Sequence, residues 1–206
     1  MNRETMLQKV RTALGRKPGD VPAAPPPVYF SQIDRTRDER VAAFTAALEA
    51  LSGHVVRCYS RDAARDTVNA MIAGKHAVAS RSSHLRELQI AADIPDRASY
   101  RAACATAEFG ITSADYALAD TGTLVLLSGA EESRLVSLLP PKHIAILPTS
   151  RLIDSLDVLL ARVPLPANAT SSMVFVTGPS RTADIEQILV RGVHGPGEIT
   201  VVLVDE

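Results

Sequence analysis

The densest run of side chains able to do chemistry is Thr177-Gly178-Pro179-Ser180-Arg181-Thr182-Ala183-Asp184-Ile185-Glu186. It follows an apolar run read as a buried strand, Met173 to Thr177, and precedes a helical pattern from Thr182 to Arg191. Gly178 permits a sharp turn and close approach of a ligand to the backbone. Ser180 is placed to cap the helix, and the free N–H groups of a helix start favour an anion. Arg181 offers a planar fork suited to a carboxylate or phosphate. Asp184 and Glu186 are candidates for acid, base or nucleophile. They equally suit the positive end of the helix, with Arg181 as their structural partner. In an open parallel sheet such a loop lies beyond the carboxyl ends of the strands, where ligands bind.

A second group is Asp120-Thr121-Gly122-Thr123. Two hydroxyls flanking a glycine can present donors to a small anion, and Asp120 adds a third candidate acid. An ordinary turn whose side chains cap their own backbone fits the same residues. His194, in Val193-His194-Gly195-Pro196, is a ligand-binding candidate or a helix-end cap. Arg134 either takes a carboxylate or pairs with Glu131 and Glu132. His143 opens an apolar strand, and His54, His76 and His84 lack ligand spacing, so no metal is expected. The chain has no G-x-x-x-x-G-K-[ST], no G-x-G-x-x-G and no G-x-S-x-G.

These groups need a scaffold. The chain has 206 residues, 46% hydrophobic and 22% charged, with a formal net charge of −1. That excludes wholesale disorder and any global attraction to nucleic acid or anionic membrane. Two cysteines, Cys58 and Cys104, with no C-x-x-C, exclude a self-contained iron–sulfur or zinc-thiolate site and read as inert buried thiols. Arginine outnumbers lysine 18 to 4, which reads as genome composition rather than as ligand sites. No signal peptide or membrane span is expected, so the expected setting is cytoplasmic.

Residues 1–30 read as a helix, Asn2 to Arg16, followed by a proline-rich spacer. Such a short helix must dock on the body, on a second copy or on another subunit. Residues 31–206 read as one α/β domain. A helix is expected over Ser31 to Ser52. Strands follow at His54–Tyr59, His76–Ser80, His143–Leu147 and Ile199–Val204, with helices at Asp62–Ile72, Ser82–Ala92 and Ser150–Ala161. Two extended runs surround the bend at Gly122. Alternation of this kind implies a mainly parallel sheet with helices on both faces.

Three segments then carry a resemblance. Ala114-Asp115-Tyr116-Ala117-Leu118-Ala119-Asp120-Thr121-Gly122-Thr123-Leu124-Val125, Leu138-Leu139-Pro140-Pro141-Lys142-His143-Ile144 and Gly178–Glu186 with Gly192–Pro196 resemble signatures of the LUD-domain family, in its lactate utilization protein C branch. Relatives often carry Glu where Asp120 stands and His near Thr200. The resemblance implies a fold like NagB, RpiA and CoA transferases. It also implies a role in oxidising L-lactate to pyruvate beside iron–sulfur partner proteins. The expected role is a non-redox accessory subunit, without a cofactor, holding a small anion at Thr121, Gly122, Thr123, Gly178, Ser180, Arg181, Thr182 and His194. A homo-oligomer is compatible with this. The alternative is a free-standing enzyme on that scaffold, acting on a phosphorylated, carboxylate or CoA-linked molecule.

Overall fold

The computed structural model describes residues 2–17, 19–21, 33–129, 133–163, 168, 170–182 and 190–205. The chain forms two compact units, Met1–Gln32 and Ile33–Glu206. In the first, α1 (Arg3–Ala13) starts on Asn2, whose side chain accepts from the Thr5 N–H. It stops before Gly15, which is in the left-handed region at φ +65°. The proline run from Pro22 to Pro27 lies outside the described residues.

The second unit is built on a parallel sheet. Its strands are β1 (His54–Cys58), β2 (Ala77–Ala79), β3 (Phe109–Ser113), β6 (Lys142–Pro148) and β11 (Glu198–Val204). They lie in the order β1-β11-β6-β3-β2, with every pair parallel. A second sheet has the order β7-β4-β5-β8, from β4 (Tyr116–Leu118), β5 (Thr123–Ser128), β7 (Leu152–Ile153) and β8 (Ser172–Val176).

Period-two alternation sends neighbouring side chains of the parallel sheet to opposite faces. Ile144, Ile146, Val202 and Val204 join Ala64, Val68 and Ile72 of α3 (Arg61–Ile72) and Leu85 and Leu88 of α4 (Ser83–Leu88). Ala145, Leu147, Val201 and Leu203 face the other way. They meet Val41, Phe44 and Leu48 of α2 (Arg37–Ala50) and Leu124 and Leu126 of the second sheet. On that side Val78 of β2 packs with Tyr100 and Cys104 of α5 (Tyr100–Thr106) and Val136 of α6 (Arg134–Leu138). The outer face of the second sheet is closed by Leu159 of α7 (Leu156–Arg162) against Leu118, Val125 and Ile153. Helices thus cover both faces of a parallel sheet, and a second sheet shares one of them.

Four expectations change. The helix expected from Ser31 begins at Arg37, because Thr36 and Glu39 form a capping box: the Thr36 N–H donates to Glu39 Oε2 at 2.7 Å. The helix expected over Ser150–Ala161 begins at Leu156, because Leu152 and Ile153 pair with Ala117 and Leu118. The strand expected to be buried at Met173–Thr177 is the edge strand β8, antiparallel to β5, with Phe175 44% exposed. Finally, Arg181–Thr182 (β9) pairs antiparallel with Val190–Arg191 (β10), so both ends of the expected Thr182–Arg191 helix are extended; 183–189 lie outside the described residues.

Candidate functional site

The Gly122 bend joins β4 to β5 and sits on the end of α2. Gly122 has φ +65°, and an added Cβ would stand 2.5 Å from the Leu48 backbone nitrogen. Only glycine satisfies both demands. Because β8 lies beside β5, Thr177 falls opposite Thr123. Their hydroxyls are 2.8 Å apart, and Thr121 Oγ1 is 2.8 Å from Thr123 Oγ1. Gly178, at φ +90°, then passes close over Leu51. The two segments singled out in the sequence therefore meet, through three threonines.

The remaining members take other roles. Arg181 Nη2 donates to the Leu51 carbonyl and to Ser52 Oγ, and Arg191 Nη2 donates to Ser52 Oγ at 3.2 Å. Both guanidiniums serve the carboxyl end of α2, where backbone carbonyls are left over and positive charge is favourable. Ser180 does not cap a helix. Its N–H donates to the Pro196 carbonyl and its carbonyl accepts from the Gly192 N–H. Thr182 is held in the β9–β10 pair, and His194 is exposed. Asp120 is also exposed, with its N–H donating to the Asp154 carbonyl. Asp184 and Glu186 lie outside the described residues. The Gly197 N–H donates to the carbonyl of Pro141, the residue before β6, and Ser52 lies two residues before β1. This cluster is therefore at the amino ends of the parallel strands, contrary to the expectation of their carboxyl ends.

The carboxyl end at the β2 edge holds a different arrangement. A cleft of about 570 Å³ opens there, lined by Arg81, Arg97 and Arg134 with Ser128, Ser133 and Ser171. Arg81 follows β2 and is fixed: its Nε and Nη2 both donate to the Pro95 carbonyl, at 3.2 and 2.8 Å. Its guanidinium also lies 6.0 Å from the centroid of the Tyr100 ring, and the Tyr100 hydroxyl donates to the Ala79 carbonyl at the end of β2. Among the described residues, neither Arg97 nor Arg134 has an ion-pair partner. Sequence reasoning missed Arg81 and Arg97 altogether; their only signal was arginine in a chain full of arginine. The same end of the sheet carries a tied network, in which Asp205 accepts from Arg57 Nε at 2.9 Å and Thr149 Oγ1 at 2.9 Å.

A buried histidine and a half-buried aspartate lie elsewhere. His143 in β6 is 1% exposed, with Nε2 2.8 Å from Thr112 Oγ1 and no partner for Nδ1 among the described residues. Burial lowers its pKa from 6.5 to about 4. Asp115 accepts the Leu127 N–H at 2.7 Å, and burial pushes its carboxyl above the usual range. Cys58 and Cys104 are free, buried and in separate core clusters. Among the described residues no group of three His, Cys, Asp or Glu side chains could hold a metal ion, and no helix is long and apolar enough to cross a membrane.

Comparison with known proteins places this architecture. Lactate utilization protein C of Halalkalibacterium halodurans is 45% identical over 104 residues, 48% of this chain and 45% of that protein. The same-named protein of Bacillus subtilis is 40% identical over 104 residues, 48% of this chain and 43% of its own length. In these matches the chain spans about half the length of its relatives. A third, from an Exiguobacterium strain, is 28% identical over 226 aligned positions, covering 100% of this chain and 96% of that protein. In fold the chain is similar to the crystal structure of a DUF162 family protein from Deinococcus radiodurans, with a TM-score of 0.62 at 16% identity, covering 83% and 99% of the two chains. The LUD domain profile matches residues 41–204, the whole two-sheet body from α2 to β11, and the chain belongs to the LUD-domain family.

Proposed function

We propose that this chain works in lactate utilization, the oxidation of L-lactate to pyruvate, as a non-redox subunit that holds a small anion beside iron–sulfur partner proteins. The observation that carries the reading is the 45% identity to a lactate utilization protein C. The burial of Cys58 and Cys104 in separate cores supports assigning electron transfer to partners. A cleft with three arginines supports the anion. In this reading residues 31–206 act as the LUD domain in the cytoplasm, and residues 1–30 are the docking extension.

The test is replacement of lactate utilization protein C in Bacillus subtilis by this chain. Restored growth on L-lactate, with iron–sulfur proteins co-purifying on the tagged chain, is the expected result. A stably expressed chain that restores no growth and retains no iron–sulfur protein overturns the reading.

A further inference from the structure

We propose that the cleft between Arg81, Arg97 and Arg134 is a binding site for a phosphate-bearing small molecule, separate from the threonine–glycine cluster at the other end of the sheet. The inference rests on the anion-holding part of the function proposed above and adds the place and the chemical class; it does not depend on the lactate role.

Three separate chain segments deliver the three guanidiniums: the turn after β2, the loop before α5 and the start of α6. No acidic side chain is among the described residues lining the cleft. Asp96 lies beside the cleft without lining it; it accepts from the Ser99 N–H at 2.7 Å and from Ser99 Oγ at 2.6 Å, and its negative charge offsets part of the positive charge of Arg81. Three like charges gathered with no acidic side chain among the described lining residues repel one another, so such a cluster favours an anionic guest.

The arginines are also unequal in a useful way. Arg81 is held by the Pro95 carbonyl and the Tyr100 ring, so it loses little freedom when it binds. Arg97 and Arg134 are exposed and able to close on a guest from two sides. Ser128, Ser133 and Ser171 line the same cleft and add hydroxyls to the guanidinium donors.

Charge and size select the class. A monocarboxylate offers two oxygens and one charge, enough to satisfy one guanidinium fork. The forks of Arg97 and Arg134, with the positive charge and remaining donors of Arg81, call for a guest with more oxygens and more charge, which a phosphate or diphosphate supplies. About 570 Å³ is far more than a three-carbon acid fills and lies within the range of small-molecule sites. The position, outside the carboxyl end of a parallel strand, is where open α/β sheets bind ligands.

The test is calorimetric titration of the full chain with inorganic pyrophosphate, and with L-lactate in parallel. Saturable one-site binding of pyrophosphate that weakens with added salt is expected. Arg97→Gln and Arg134→Gln, both on exposed side chains, should each weaken it by about tenfold, the loss of one charge-assisted contact. Arg181→Gln should leave it unchanged. Absence of saturation, unchanged binding in the Arg97→Gln/Arg134→Gln double variant, or tighter binding of L-lactate than of pyrophosphate overturns the proposal. Growth on lactate reads the other hypothesis, so the two fail separately.

Discussion

Replacing His143 by glutamine should flatten the acid side of the stability profile. The imidazole of His143 in β6 is buried against β3, with Nε2 beside Thr112 Oγ1 and no partner for Nδ1 among the described residues. Protonation would place a charge and an unsatisfied N–H in the core. The folded state therefore holds the pKa at about 4, while an unfolded chain returns it to about 6.5. Between these values the unfolded state binds more protons, so folding stability rises with pH across the window and falls as pH drops through it. The full gap is worth about 3 kcal/mol, of which about 2 kcal/mol is lost between pH 7 and pH 5. Urea unfolding followed by circular dichroism at pH 7, 6 and 5 measures it. The native chain should lose that much more stability than His143→Gln, whatever the variant's stability at pH 7. Profiles that stay parallel to within about 0.5 kcal/mol would refute the reasoning.

Gly122→Ala should cost about 3 kcal/mol, from left-handed backbone plus overlap with the α2 backbone; thermal unfolding should shift down by roughly 6–12 °C, and a shift within error would sink the packing argument. Asp115→Asn keeps an acceptor for the Leu127 N–H and removes a half-buried charge, whereas Asp115→Ala orphans that N–H at about 1–3 kcal/mol. The asparagine variant should therefore match or exceed the native chain at pH 7 in denaturant unfolding. Its advantage should shrink toward acid, because a carboxyl with a raised folded pKa weakens folding as pH rises through that value. Equal losses in both variants would contradict this.

Most of the parallel sheet was legible because β1, β2, β6 and β11 are apolar runs bounded by Gly, Pro or polar turns. β3 escaped notice. Its sequence is Phe-Gly-Ile-Thr-Ser, and the weak signal has a cause: an added Cβ at Gly110 would lie 1.9 Å from the Val136 carbonyl oxygen, so α6 needs glycine there. α5 escaped because Arg-Ala-Ala-Cys-Ala carries little apolar periodicity. β7 has only two residues, and what makes it a strand is β4, more than thirty positions earlier. The meeting of the Gly122 bend with the segment after β8, made by Thr123 and Thr177, was an expectation of the shared-anion reading that no motif encodes, and its place in the fold was not legible at all. Orientation at the amino or carboxyl end depends on which sheet β8 joins, and an apolar run does not encode that. The arginine cleft was illegible for a similar reason: its three guanidiniums come from distant loops and share no motif.

The strand order has a consequence for how this molecule is made. Among the described residues β1 is an edge strand whose sole sheet partner is β11, and β11 also flanks β6. During synthesis β1 emerges with no neighbour to join, and it waits nearly 150 residues for one. Until β11 arrives, β1 and the inner edge of β6 expose unpaired backbone and apolar side chains. Ordering so distant a pair is slow, and open strand edges invite wrong partners meanwhile. Nascent chains stalled before Glu198 should accordingly be the form that chaperones hold and proteases cut.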